Sequence, residues 1–324
     1  MKIAYTAKKF SPRWRRRLGY RNILDVTWAE IIWAAITVGK PSVAHLFLHG
    51  DHSISDIIVR MHTVYANLRQ SPSRILKSDL YDALDPTEKG ATSYFMGMIM
   101  AKLIAGKLLD TPWLFHLSQF QATGGKVKLS SNSQPDLIGM NTYGEWVVIE
   151  AKGRTNGFCN DVLLKAKNQT RQIRLINGQF PSLRVGTLSY FSPDLKLQLI
   201  DPDDYEDNAV DIDADQMDLF SNYYSFVKSF TDQNSEIRKI GGRQMRVAKN
   251  TSLGITLGIE EKLLQNVIHG KVEFHAPSEY GEGRNIETFE NFHIFPDGIA
   301  ISLDERWGTD MMKMPPTSRR WTSS

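Results

Sequence analysis

The fold is decided by Gln134-Pro135-Asp136-Leu137-Ile138-Gly139-Met140, the turn Asn141-Thr142-Tyr143-Gly144, and Trp146-Val147-Val148-Ile149-Glu150-Ala151-Lys152. Side chains two apart on a strand share a face, so Trp146, Val148, Glu150 and Lys152 point one way and Val147, Ile149 and Ala151 the other. A run that is apolar on both faces is a central strand covered on both sides, as in α/β proteins. Two ionisable groups therefore end a buried strand. An isolated carboxylate there costs several kcal/mol or neutralises itself, so Glu150 needs partners such as Lys152 or a bound cation.

The preceding segment supplies a second carboxylate. Pro135 stands where a strand tolerates proline, at its first residue, with apolar residues after Asp136. Antiparallel pairing across the turn brings Asp136 close to Glu150. Hard oxygen ligands on neighbouring strands suit Mg²⁺, which takes one or two carboxylates and keeps waters for a substrate. The competing account is a buried Asp/Glu/Lys ion-pair cluster with no ligand.

Pro135-Asp136 followed by Glu150-Ala151-Lys152 resembles the PD-(D/E)XK motif of the restriction-endonuclease-like nuclease superfamily. The resemblance covers about residues 85 to 202 and implies an α/β fold with a mixed-sheet α-β-β-β-α-β core. Residues 1–84 are then a basic arm and helical N-terminal region, and residues 203–324 an acidic linker and α/β extension. It implies that Asp136, Glu150 and the Ala151 carbonyl hold Mg²⁺, with Mn²⁺ as a substitute, while Lys152 assists the attacking water. The implied activity is phosphodiester hydrolysis of DNA by an endonuclease, in restriction or phage defence, with repair or recombination as the nearest competitor. A homodimer or a partner subunit would let one site per chain act on two antiparallel strands. A reading from a different class keeps the fold as a nucleic-acid-binding or assembly module without catalysis.

Two further residues come from the flanking helices. Asp161 is a candidate N-cap for a helix over 161–176, closed by Asn177-Gly178, with Val162, Ala166, Ile173 and Ile176 as its buried stripe. Gln169 falls within that stripe. The resemblance implies that a glutamine there helps arrange the site, with Gln172 in reserve. Upstream, Asp85-Pro86-Thr87-Glu88 opens an apolar helix that puts Glu88 in line with Ala91, Phe95, Ile99 and Leu103. Glu88 is thus a candidate third carboxylate and metal ligand, although Asp85, Pro86 and Glu88 also make a capping-box start. Strands are expected over 113–120, 183–191 and 195–200, with Ser192-Pro193-Asp194 as a turn.

Composition bounds the rest. With 324 residues, 41% of them hydrophobic, the chain can bury a substantial core. Its single cysteine, Cys159, cannot form an internal disulfide, which points to a reducing cytoplasm. No stretch at the start reads as a secretory signal, and the most apolar segment, 91–109, carries Lys102 and Lys107, which fits a buried helix and no membrane span. Net charge is only +3, yet Lys8, Lys9, Arg13, Arg15, Arg16, Arg17 and Arg21 crowd around Phe10, Trp14 and Tyr20. Cations interleaved with aromatics predict an N-terminal arm that contacts nucleic acid. Residues 27–77 read as helices joined by loops at Gly39-Lys40-Pro41 and Gly50-Asp51, and their histidines lack zinc-site spacing. Asp211-Ile212-Asp213-Ala214-Asp215 fails the calcium-loop test, because Gln216 stands where glycine is needed and Asn222 where glutamate is. Residues 237–302 mix strands with a helix expected over 253–265; Pro296-Asp297 with Asp304-Glu305-Arg306 imitates the motif at the wrong spacing.

Overall fold

The computed structural model describes residues 1–38, 52–117, 134–201, 204–213, 215–232, 234–271 and 286–307, with side chains inside the helix that starts at His52 described from residue 58 on. In chain order the elements are β1 (Lys2–Lys8), α1 (Pro12–Leu18), β2 (Arg21–Asp25), α2 (Trp28–Thr37), α3 (His52–Asn67), β3 (Leu68–Ser71), β4 (Arg74–Lys77), α4 (Asp79–Ala83) and α5 (Pro86–Leu108). Then come β5 (Trp113–His116), β6 (Leu137–Met140), β7 (Trp146–Arg154), α6 (Asn160–Thr170), β8 (Ile173–Ile176), β9 (Leu183–Phe191), β10 (Leu195–Ile200) and β11 (Val210–Ile212). The described elements then run α7 (Gln216–Thr231), β12 (Ser235–Ile240), β13 (Arg243–Asn250), β14 (Ile255–Glu260), α8 (Glu261–Ile268), β15 (Glu287–Phe289), β16 (Phe292–Ile294), β17 (Ile299–Leu303) and a short 3-10 helix (Glu305–Trp307).

The fold is mixed α/β, built on a seven-stranded sheet of order β2-β1-β10-β9-β7-β6-β5. β7 pairs parallel with β9 and antiparallel with β6, and every one of its first six residues is buried, as its two-sided apolar pattern requires. The turn before it is closed by Asn141, whose side chain accepts from the Tyr143 and Glu145 N–H groups, and by Gly144 at φ +77°.

Two glycines fix which helix covers which face. A Cβ on Gly153 would stand 1.7 Å from the Ser93 carbonyl oxygen, and one on Gly97 2.7 Å from Gly153 N, so α5 lies against the Ala151 and Gly153 side of β7 at a spacing only glycine allows. A Cβ on Gly186 would meet the backbone of α6 at Lys167, so α6 covers the opposite face. Because Glu150 sits directly across from Gly186, Glu150 and Lys152 point to the α6 side.

A second, six-stranded antiparallel sheet has the order β12-β13-β14-β17-β16-β15, and α7 packs between it and β5. The two sheets are stitched by a sealed polar cluster. Asp297 is 1% exposed and accepts hydrogen bonds from Trp33 Nε1 (2.7 Å), Tyr223 Oη (2.6 Å) and the Ile299 N–H (3.1 Å). Lys102, fully buried on α5, donates to Tyr223 Oη at 2.6 Å and to the Pro112 carbonyl, with its ammonium 4.4 Å above the Trp33 ring. Burial pulls the Lys102 ammonium down to about 7 and pushes the Asp297 carboxyl up.

Several expectations are corrected. The N-terminal region is helical at α2 and α3, as expected, but its first residues are not an arm: β1 and β2 extend the main sheet, and Phe10 and Trp14 are buried in the core. Residues 68–77 form a hairpin, and the expected loops at Gly39-Lys40-Pro41 and Gly50-Asp51 lie outside the described residues. The helix expected over 161–176 ends at Thr170; Ile173 and Ile176 are buried as a strand, β8, because Val210 to Ile212 pair beside them. Its N-cap is Cys159, not Asp161. The helix expected over 253–265 is instead a strand followed by α8, and the strand over 113–120 is described only as β5 and Leu117. The strands at 183–191 and 195–200 stand where expected. Asp215 caps α7, and Asp211 forms an exposed ion pair with Arg174. No helix among the described residues is long and apolar enough to cross a membrane.

Candidate active site

Asp136 stands one residue before β6. Since Leu137 lies opposite Ile149, Asp136 falls beside Glu150 on the next rung. Two hydrogen bonds fix the pair: the Asp136 N–H donates to Glu150 Oε2 at 2.7 Å, and Asp136 Oδ2 accepts from the Ala151 N–H at 3.2 Å. In a strand the N–H and C=O of one residue point the same way, so the Ala151 carbonyl also faces the Asp136 side. The neighbouring Glu150 carbonyl turns the other way and accepts from Thr187 Oγ1 at 3.1 Å. Lys152 Nζ pairs with Glu150 Oε1; the Glu150 side chain is 0% exposed, whereas Lys152 is 26% exposed.

Burial, and then the adjacent Asp136 carboxylate, push the Glu150 carboxyl up to about 8 against the pull of Lys152. Two carboxylates here share one lysine. The donors at hand, two carboxylates and a backbone carbonyl, are the hard oxygens that suit Mg²⁺ or Mn²⁺. The residues present therefore fit such an ion.

Gln169 is buried (7% exposed) on α6, as its place in the apolar stripe predicts. Its Nε2 donates to the Gln134 carbonyl at 3.0 Å, anchoring the segment that leads into Asp136, while its Oε1 is buried without a hydrogen-bond partner. A buried orphan acceptor on the side chain that anchors Gln134 is a place for a water. Gln172 lies past the helix end, where its N–H donates to the Gln169 carbonyl at 3.2 Å.

Glu88 does not join the site. It is exposed, and its Oε2 accepts from the Asp85 N–H at 3.2 Å while Asp85 Oδ1 accepts from the Thr87 and Glu88 N–H groups. The helix-start chemistry accounts for it completely. The expected inner line holds only in its second half: Ile99 and Leu103 are buried, whereas Ala91 and Phe95 are exposed and Ser93, Met96 and Gly97 are buried in their place. Among the described residues no three His, Cys, Asp or Glu side chains gather as a metal cluster.

Two neighbours escaped the sequence reading. Tyr94 Oη on α5 lies 3.3 Å from His116 Nε2 at the end of β5, and with Arg60 they line a cleft. Burial and then the charges of Asp136 and Glu150 raise the Tyr94 hydroxyl, and burial lowers the His116 ring although Asp136 opposes it. The available signal was register: carrying the pairing one strand further sets His116 opposite Leu137. Comparison with family models, curated proteins and solved structures returns no match for this chain.

Proposed function

We propose that the chain is a metal-dependent nuclease with a restriction-endonuclease-like core over residues 85–202. The observation that carries this reading is the buried Glu150 carboxyl, bonded at one oxygen to the Asp136 N–H and at the other to Lys152. The order α5, β5, β6, β7, α6, β9 supports it, with β8 and β10 as additions among the described residues of that span.

Asp136, Glu150 and the Ala151 carbonyl would hold Mg²⁺. The ion, when bound, polarises the phosphate and lowers the pKa of the attacking water. Lys152, partly open to solvent and anchored on Glu150, orients that water and offsets charge developing on phosphorus as the new P–O bond forms and the leaving P–O bond breaks. Gln169 holds the backbone at Gln134 and so positions Asp136. DNA as substrate, and restriction or phage defence as the setting, follow from the motif resemblance alone. The rival reading, a non-catalytic module with a structural ion-pair cluster, draws on the lack of a third acidic group among the described residues.

The test is cleavage of plasmid and linear DNA with Mg²⁺, with EDTA, and by Glu150→Gln and Lys152→Ala. Mg²⁺-dependent cutting that both folded variants lose, by roughly a hundredfold or more, is expected. Cutting retained by both variants, or none by the parent chain on any DNA, would sink the proposal.

A further inference from the structure

The main sheet is covered unequally. On the α5 side lie α2, α5 and the β3–β4 hairpin, whereas on the other side α6 packs on β7, β9 and the edge of β10. Past that edge no element among the described residues packs on this face of the sheet. The odd residues of β1 (Ile3, Tyr5 and Ala7) are buried, while Lys2 and Ala4 are exposed and Thr6 and Lys8 half-buried; on β2, Arg21, Ile23 and Asp25 are exposed.

Register carries this face to the candidate site. One rung runs Glu150, Gly186, Ile200, Lys8; the next runs Lys152, Leu188, Gln198, Thr6, Arg21; the third runs Arg154, Tyr190, Lys196, Ala4, Ile23. Residues opposite one another share a face, so Lys8, Lys196 and Arg21 stand on the side of Lys152 and Arg154. Two carboxylates answer them: Asp25, opposite Lys2, and Asp194, 3.7 Å from Lys196 Nζ. Lys8 Nζ lies 5.5 Å over the exposed Phe158 ring, on the loop between β7 and α6. From β7 to β2 is four strand spacings, roughly 19 Å, or five to six base-pair steps at 3.4 Å per step.

We infer that this open face of β10, β1 and β2 is a phosphate-binding platform for duplex DNA leaving the site, with Lys8, Arg21 and Lys196 as its backbone contacts. It rests on the nuclease reading of Asp136, Glu150 and Lys152. A cationic, flat, polar surface with Thr6 and Gln198 between its charges complements a regular polyanion and reads no sequence.

The test is a fluorescence-anisotropy titration of a labelled duplex with the full chain in EDTA, repeated over a salt series. The triple variant Lys8→Ala, Arg21→Ala, Lys196→Ala is expected to bind at least tenfold more weakly, with the log–log salt slope shallower by about two to three, at roughly 0.9 for each phosphate no longer neutralised. The charge-keeping triple Lys8→Arg, Arg21→Lys, Lys196→Arg keeps both values and checks that the surface itself is intact. Arg13→Ala with Arg16→Ala serves as control. Those exposed cations lie on α1, which packs on the other face, where Tyr5 Oη donates to the Leu18 carbonyl at 2.8 Å. Unchanged affinity and slope in the alanine triple, or no duplex binding by the parent chain, overturns the inference. Cleavage under Mg²⁺ is scored in parallel. Binding lost in the triple with no cleavage by the parent chain keeps the platform and removes the nuclease; cleavage with an unaffected triple does the reverse.

Discussion

Two of the lysine–carboxylate clusters among the described residues, those of Asp297 and Glu150, have like side chains in unlike surroundings. Around Asp297, both carboxylate oxygens have protein donors, and Lys102 reaches the acid through the Tyr223 hydroxyl. Around Glu150 both oxygens also have donors, but a second carboxylate stands alongside, the lysine is partly open, and the Gln169 oxygen has no donor. A sealed network whose charges are answered inside the protein is structural, and removing one member leaves another buried and uncompensated. An open network with two carboxylates to one lysine is, on the function proposed above, fitted to a cation. The same residue types thus do different work according to whether the count of donors and acceptors closes.

The largest effect that sharpens this contrast is structural. Asp297→Ala deprives Trp33 and Tyr223 of an acceptor and leaves Lys102 without its counter-charge, so a loss of about 3–5 kcal/mol in urea unfolding is expected. A loss under about 1 kcal/mol would break the comparison. Next comes ligand linkage: Mg²⁺ at a hundredfold excess over its Kd should stabilise the chain by about 2.7 kcal/mol, and Glu150→Gln should abolish that gain. Calorimetry with and without Mg²⁺ reads it directly; equal gains in both proteins would place the ion elsewhere.

The third effect is the pH slope. Glu150, raised from 4.5 to about 8, binds a proton in the fold that the unfolded chain has released, so its contribution is present below about 4.5 and lost as pH climbs to 8. Lys102, lowered from 10.5 to about 7, behaves oppositely: the unfolded chain keeps its proton between about 7 and 10.5, and stability recovers across that window. In EDTA, Glu150→Gln should therefore be more stable relative to the parent chain at about pH 8 than at about pH 5. A difference that does not change with pH would show that Glu150 titrates normally.

What was legible in the sequence follows the range of the interactions. The strand bearing Glu150 and Lys152, its hairpin with Asp136 and the burial of Gln169 were read from alternation, a turn and a helical stripe, all local signals. Glu88 satisfied a cap and a site equally well on paper, and the cap won because the backbone donors at a helix start lie within reach of it. Ile173 and Ile176 fitted a helical stripe, yet β-branched residues with a strand available alongside went to the sheet. The parallel pairing of β1 with β10 joins the two ends of a long excursion and leaves no local trace, so Phe10 and Trp14 looked available for stacking when they are core. Lys102 was visible only as a charge that argues against a membrane helix; its partners at Pro112, Tyr223 and Asp297 are a tertiary fact.

The close approach of Gly97 and Gly153 has a use beyond packing. Gly153 follows Lys152 directly, and an alanine there would drive its methyl into the Ser93 carbonyl. Helix and strand would have to part, carrying the lysine and its glutamate away from Asp136 while leaving every proposed catalytic side chain in the sequence. Alanine at 97 or 153 is thus a natural choice for a conditional allele, tolerated at low temperature and silent when warmed.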